Sequence, residues 1–267
     1  MAKSERQRED SPTNDGPTDG VAPNDDLKHR PWPLPGGPWV MAQRWHDLLF
    51  AHWPVPAAEV RALIPAGVEI DTFDGFAWLG VVPFRMSDVR LRGTLALPWL
   101  SFFPELNVRT YVVRDGKPGV WFFSLDAGNI AAVAIARRWF HLPYFHASMH
   151  IAEGDAWMHY RSARTHRGAA AASLQMKYRP IAPPQTARPG TLEYFLTERY
   201  CLYTADGRGR LIRGEIHHAP WPLQLAEAEF AENTMARAAG IALPASKPLL
   251  HFAKRQDVVV WPPQRIS

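Results

Sequence analysis

Four side chains that could bind or transform a small molecule alternate along one predicted β-strand. Glu105, Asn107, Arg109 and Tyr111 stand at every second position, and apolar residues or threonine fill the positions between. Successive side chains of a strand point to opposite faces, so these four share a face. A carboxyl group can move a proton, and an amide and a guanidinium can hold a carbonyl or carboxylate oxygen.

This polar face has two interpretations. In an open sheet it would simply be wetted by solvent. In a closed barrel it would line an interior cavity, where a few convergent polar groups make the usual small-molecule site. We predict that Glu105, Asn107 and Arg109 point into such a cavity. The opposite face should then pack against a covering helix, with 128–140 and 223–239 as the candidates.

Further along the chain, Arg137 and Arg138 lie near the end of the predicted helix 128–140. Cations there also complement the helix dipole, so capping is the simpler interpretation, more so for Arg138. The single cysteine, Cys201, sits in a predicted strand with apolar neighbours, which favours a buried inert thiol.

Metal and cofactor chemistry find little support in the sequence. Eleven histidines are present, but His146 and His150 lie four apart on a predicted strand, too far apart to share one ion. The chain has no phosphate-binding loop, no dinucleotide fingerprint and no Gly-x-Ser-x-Gly elbow. We therefore predict no metal and no cofactor.

Composition excludes several classes of protein. Of the 267 residues 46% are hydrophobic, and the longest aliphatic run, 131–136, is far too short to cross a bilayer. The net charge is +4, but the cations are scattered, so we expect no nucleic-acid partner and no membrane partner. No apolar leader is visible, which makes the cytoplasm the expected location.

Two regions differ in composition. Residues 1–30 contain five Lys/Arg and seven Asp/Glu but no Ile, Phe, Tyr or Trp, and a Pro-rich stretch follows to residue 38. Such segments cannot bury a core. We predict a disordered tail and linker over 1–38 and one domain over 39–267.

Turn signals organise that domain as a mainly β, α+β fold. Asp-Gly or Gly-Asp pairs between β-type runs predict four hairpins. The pairs begin at residues 74, 115, 154 and 206. Further strands are predicted over 172–178 and 256–261, and helices over 57–63, 128–140 and 223–239. About nine strands favour an antiparallel barrel or a curled sheet.

A resemblance adds to this interpretation. The run 102–112, FFPELNVRTYV, continues through PGVWFFSLD (118–126) to the LPY at 142–144, and HWPV (52–55), LTERY (196–200) and HAPWPL (218–223) agree with it. Over about residues 40–262 the chain resembles the YqjF-like proteins, a bacterial family of unknown function. That family looks like a distant relative of acetoacetate decarboxylase, whose fold is a cone-shaped antiparallel β-barrel with a buried pocket.

The resemblance implies roles for particular residues. Arg44 and Glu105 match the types that bind the substrate carboxylate and assist catalysis in the decarboxylase, and Arg137 lies in a matching helix. The Schiff-base lysine and its neighbour would fall at Tyr144 and Phe145, and neither has an amine. Of the six lysines in the chain, Lys177 is the one whose strand position could point inward.

We therefore expect a barrel pocket for a small carbonyl or carboxylate compound. One hypothesis is an enzyme with lyase-like or acid/base chemistry and no imine, in which Glu105 and Tyr144 are catalytic and Arg44, Asn107, Arg109 and Arg137 bind substrate. The alternative is a non-catalytic ligand-binding or sensor module. A barrel filled by tryptophans, or an arginine that merely pairs with Glu105, also stays open, as does a homo-oligomer.

Overall fold

The structure, a computed structural model, describes residues 27–97 and 101–266. Within these residues β-strands dominate. The strands are β1 Met41–Val55, β2 Glu69–Ile70, β3 Ala77–Leu91, β4 Phe103–Arg114, β5 Lys117–Ala127, β6 Tyr144–Gly154, β7 Trp157–Arg164, β8 Ser173–Pro180, β9 Gln185–Thr186, β10 Cys201–Ala205, β11 Leu211–His217, β12 Pro222–Asn233, β13 Leu249–Val260 and β14 Gln264–Arg265.

Helices are short and connect the strands. They are α1 Ala57–Arg61, α2 Ile130–Ile135, α3 Leu192–Thr197 and α4 Met235–Ala238, with a 3₁₀ turn at Leu27–His29 and a π-helical turn at Ala136–Phe140 that continues α2. None of the helices described is long and apolar enough to cross a membrane.

Local turn chemistry explains the hairpins. Asp115 and Gly116 have φ of 52° and 69° and join β4 to β5, and Asp155 with φ of 53° lies in the turn between β6 and β7. Left-handed backbone at both central positions is what a type I′ turn requires. The predicted hairpins at 115, 154 and 206 are confirmed as paired strands, and at 74 a bridge joins Phe73 to Phe76.

Strand pairing closes into two rings. One follows the order β5-β6-β7-β8-β12-β13-β1-β3-β4 and returns to β5; the other leaves β5 through β10 and β11 and rejoins at β13. The rings share β13, β1, β3, β4 and β5. Most pairs are antiparallel as predicted, but β5 pairs in parallel with both β6 and β10.

The first ring is filled by side chains. Its largest cluster brings Leu106 and Val108 of β4 against Tyr160, Leu174 and Met176 from β7 and β8. The prediction that a helix covers this apolar face is therefore wrong, because strands of the first ring supply the packing.

The predicted helix 223–239 is also wrong. Most of it is β12, which pairs with β8 and β13, and only the end forms α4. Ala226, Ala228 and Phe230 pack on the core, whereas Glu227 and Glu229 point away and form ion pairs with β8. Pairing on both sides outweighs the helix propensity of Ala, Leu and Glu.

A β-bulge at Asp47 determines which side chains of β1 face the inside of the second ring. Asp47 has φ of 52°, and the pairing of β1 with β3 shifts register between His46 and Ala51. Its carboxylate accepts hydrogen bonds from Arg85 at 2.6 Å and Lys254 at 2.7 Å. The extra residue moves Trp45 and Leu48, which would otherwise point to opposite faces, to the same face.

Part of the predicted linker packs on the domain. Arg30 is 7% exposed and donates a 2.8 Å hydrogen bond to the Ile216 carbonyl, and Trp32 donates to Glu215 at 3.0 Å. Arg30 and Trp32 therefore contact β11. Residues 1–26 of the predicted tail lie outside the described residues.

Candidate functional site

A cavity of about 900 Å³ lies inside the second ring. Its walls come from β1, β3, β4, β5, β10, β11 and β13, and the helical segment 130–140 contributes near one end. Glu105, Asn107 and Arg109 of β4 all line it, as the alternation along this strand predicts. Most of the remaining surface is apolar.

Glu105 is a buried carboxyl group on the cavity wall. Its residue is 3% exposed, and the Tyr144 hydroxyl donates a 3.0 Å hydrogen bond to its Oε2. Burial raises the pKa of Glu105 to about 8, although hydrogen bonds from Tyr144 and Asn107 work in the opposite direction. The carboxyl group is therefore largely protonated near neutral pH and can donate a hydrogen bond.

Three other lining residues have a polar atom that is buried without a partner. These are Asn107 Oδ1, Arg109 Nε and Trp221 Nε1. Most buried polar atoms in folded proteins are satisfied, and each exception calls for a cause. Among the described residues these three atoms have no hydrogen-bond partner, and each is enclosed by protein atoms.

Arg109 is held without a counter-ion. Its Nη2 lies 3.5 Å from the Tyr111 hydroxyl and 3.4 Å from the Leu196 carbonyl, and its guanidinium lies 5.4 Å from the Phe50 ring centre. Within residues 27–97 and 101–266 it forms no ion pair. The alternative in which Arg109 merely neutralises Glu105 is therefore wrong, and the guanidinium charge remains for an anionic ligand.

Tyr111 belongs to the wall behind Arg109 and does not line the cavity. It is fully buried, its hydroxyl donates to the Leu196 carbonyl at 2.7 Å, and the ring nitrogen of His52 lies 2.6 Å away. Burial holds the pKa of His52 well below its ordinary value, so the imidazole is neutral. Tyr111 and His52 therefore position Arg109 without adding charge.

Two arginines implied by the resemblance lie away from the cavity. Arg44 alternates with Gln43 and Trp45, which line the cavity, so it faces outward and donates to Asp257 at 2.9 Å. Arg137 is exposed and donates to the Tyr144 carbonyl at 2.7 Å. Neither Arg44 nor Arg137 lines the cavity, so the geometry does not support the substrate-binding roles predicted for them.

No lysine lines the cavity in the part of the chain that is described. Lys177, the lysine whose strand position left an inward orientation open, points outward, forms a 3.1 Å ion pair with Glu229 and lies 4.5 Å from the Trp157 ring centre. Cys201 does line the cavity, and burial raises its pKa to about 11. Such a thiol is not a nucleophile near neutral pH.

No set of three or more His, Cys, Asp or Glu side chains in residues 27–97 and 101–266 is arranged to hold a metal ion.

Two lining residues were missed by the sequence argument. Trp221 lies on the wall and stacks with Trp45 at 6.0 Å. Arg199 lines the same wall but donates to Asp71 at 2.6 Å and to the Phe195 carbonyl at 2.6 Å, so its charge is already used. Both residues stand in segments that carry the family resemblance, which was the available signal.

Comparison with known proteins decides the family. The DUF2071 family, described as an uncharacterized conserved protein, matches residues 42–257. The chain belongs to the DUF2071 family. A member from Bacillus subtilis (strain 168), "Uncharacterized protein YqjF", is 49% identical over 234 residues, which cover 88% of this chain and 96% of that protein. The predicted YqjF-like resemblance is confirmed.

Solved structures confirm the fold of this DUF2071 chain. Acetoacetate decarboxylase from Legionella pneumophila superposes with a TM-score of 0.58 at 13% identity, covering 89% of this chain and 92% of the other. The enduracididine biosynthesis enzyme MppR complexed with pyruvate gives 0.58 at 13% identity, covering 86% and 91%. The acetoacetate-decarboxylase-like fold is thereby established.

Proposed function

We propose that this DUF2071 protein binds a small carbonyl or carboxylate compound in the cavity, in the cytoplasm. The observation that carries the proposal is the guanidinium of Arg109, which forms no ion pair with any described residue and lies on the same strand face as a buried Glu105 whose pKa is about 8. Arg109 would bind the anionic or carbonyl oxygen of the ligand. Protonated Glu105 adds a hydrogen-bond donor without repelling an anion.

Acid/base catalysis is part of this proposal. A carboxyl group whose pKa lies near the working pH can both take and return a proton. In its ionised form Glu105 would remove a proton from the carbon next to a ligand carbonyl that lies at its own end of the polar row, about 13 Å along the strand from Arg109. The electron pair would move onto the carbonyl oxygen as an enolate. The carboxyl would then return a proton to the same carbon. Tyr144 keeps Oε2 oriented during this exchange. No imine is involved.

A non-catalytic binding or sensor module is the second candidate. The observation that favours it is the neutral state of the polar groups at neutral pH, because burial also raises the pKa of Tyr144 well above its ordinary value. A site of neutral donors beside one cation binds an anion without supplying a strong base.

A binding experiment tests the site, with two arginine variants as a matched pair. Calorimetric titration of the wild type with pyruvate and acetoacetate should show binding. Arg109→Met should lose at least tenfold in affinity, as expected for a charge-assisted pair. Arg44→Met should retain the wild-type affinity, because Arg44 faces Asp257. The reverse pattern, or no binding to the wild type, would contradict the proposal.

An isotope-exchange experiment separates the two candidates. In D₂O, proton spectra of pyruvate and acetoacetate should lose the signal of the hydrogens next to the ketone faster with wild type than with Glu105→Gln. Binding without enhanced exchange would leave the non-catalytic module. Borohydride reduction with acetoacetate should add no mass to the protein; a covalent adduct would contradict the imine-free chemistry.

A further inference from the structure

We propose that the natural ligand of this cavity carries an apolar chain behind its carbonyl or carboxylate head. This inference rests on the proposed function and deepens it by naming the class of compound. It follows from the order in which polar and apolar residues line the cavity along its strands.

Strand pairing places the polar groups at one end. In the pairing of β3 with β4, Gly80 lies opposite Arg109, Val82 opposite Asn107, and Phe84 opposite Glu105. Arg109 therefore marks the deep end of the polar row. Glu105 lies four residues nearer the start of β4, about 13 Å along the strand.

Beyond Glu105 the wall becomes mostly apolar. Along β3 the next lining residues are Met86, Val89, Arg90 and Leu91, and Phe103 stands opposite Met86 on β4. The stretch from Phe84 to Leu91 spans about 23 Å of strand. Arg90 is the charged side chain of β3 on this part of the wall, and it is ion-paired with Asp88, so the apolar side chains around it would bind hydrocarbon.

The apolar end opens to solvent through a rim of exposed hydrophobic side chains. Leu91 is 50% exposed, Leu95 82%, Leu97 50% and Trp139 62%, and all four line the cavity. Exposed apolar side chains that are contiguous with a cavity mark a binding groove for an apolar partner. A chain that leaves the head at Arg109 would run along this rim.

The volume of the cavity also favours a ligand with an apolar chain. A cavity of about 900 Å³ lies near the upper end of the roughly 300–1,000 Å³ that drug-sized ligands occupy. Pyruvate or acetoacetate would fill only the polar end. Apolar cavities are poorly hydrated, so the remaining space favours a hydrocarbon chain over water.

Titration of the full-length protein with straight-chain 2-oxo acids of increasing length tests the inference. Affinity should rise by about fourfold for each added methylene group that is buried, until the chain passes the rim. Pyruvate that binds as tightly as 2-oxodecanoate would overturn the apolar chain and leave the proposed function intact. If Arg109→Met does not lower the affinity at any chain length, the proposed head-group site is contradicted, and the inference with it.

A pair of leucine variants tests the rim. Leu95→Glu places a carboxylate on the exposed rim, where the fold tolerates it, and should weaken 2-oxodecanoate at least tenfold without changing pyruvate binding. Leu225→Glu is the matched control, because Leu225 is 54% exposed on β12 and does not line the cavity. Equal effects of the two substitutions on 2-oxodecanoate would overturn the inference.

Discussion

The Tyr144 hydroxyl donates a 3.0 Å hydrogen bond to Oε2 of Glu105, and the two residues reach each other from different parts of the chain. Glu105 comes from β4, and Tyr144 begins β6, where it pairs in parallel with Leu125 of β5. In the decarboxylase resemblance Tyr144 occupies the lysine position. A phenol there cannot form an imine, but it can hold a carboxyl group in one orientation.

Replacing Tyr144 by Phe should raise the pKa of Glu105 further, because the phenol hydrogen bond favours the ionised carboxylate. We expect the titration midpoint to move upward from about 8 by roughly one pH unit. The measurement is carbon NMR of glutamate-labelled protein across pH, with Glu105→Gln to assign the signal.

Tyr160→Phe is the matched control for this titration. The Tyr160 hydroxyl donates at 2.7 Å to the backbone carbonyl of the same Glu105 and does not touch the carboxylate. The Tyr160→Phe substitution should lower the stability of the protein and leave the titration midpoint of Glu105 near its wild-type value. A downward shift in Tyr144→Phe would contradict the hydrogen-bond assignment.

Glu105 should make the protein less stable as pH rises. Its folded pKa of about 8 lies above the ordinary 4.5, so its contribution is fully present below about pH 4.5 and is lost as pH rises toward 8. Between pH 5 and 8 the loss should be on the order of 3–4 kcal/mol relative to Glu105→Gln. Urea denaturation of both proteins at several pH values measures the difference.

Glu153 is exposed, and Glu153→Gln serves as the control for this pH series. Its free energy of unfolding should change with pH as that of the wild type does. If the free energy of unfolding changes with pH by the same amount in the wild type and in Glu105→Gln, the prediction is contradicted. Glu105 would then titrate in the folded protein as it does in the unfolded chain.

Arg30→Met should destabilise the domain by about 2 kcal/mol, because it removes a buried charged donor from the Ile216 carbonyl and from Glu215. Arg208→Met, an exposed arginine in the turn before β11, should cost much less. Chemical denaturation compares the two variants. Equal stability of Arg30→Met and wild type would restore the sequence-based boundary at residue 38.

Features encoded by neighbouring residues were predictable, and features that depend on distant pairing were not. The Asp-Gly turns specify their own backbone, so the hairpins they begin could be read from sequence. The alternation of Glu105, Asn107 and Arg109 placed them correctly on one face. The segment 223–239 has the composition of a helix, and only its pairing with β8 and β13 makes most of it a strand.

The orientation of Arg44 could not be predicted from the sequence either. A strand has two faces, and the sequence around Arg44 does not say which one meets a cavity. The choice is made by pairing with β13, which sets Arg44 opposite Asp257 and turns Gln43 and Trp45 inward. The composition around Arg30 predicts a disordered segment, because polar and charged residues bury little apolar surface. Arg30 nevertheless packs on the domain, since its buried partners lie on β11.

Gly80→Ala should disturb the polar end of the cavity specifically. A Cβ at Gly80 would lie 3.0 Å from His52 Nε2, so the His52 ring would have to move. His52 and Arg109 both contact the Tyr111 hydroxyl, so the movement should reach the guanidinium. We expect a loss of about 1–3 kcal/mol in stability, typical of overpacking in a filled site, and weaker pyruvate binding through the displaced guanidinium. Gly154→Ala is the control, because nothing lies within 4 Å of its Cβ. Thermal denaturation and calorimetry on both variants give the two readouts. If Gly80→Ala binds pyruvate as the wild type does while losing stability, the position of Arg109 does not matter to the ligand, and the anion site must lie elsewhere on the wall.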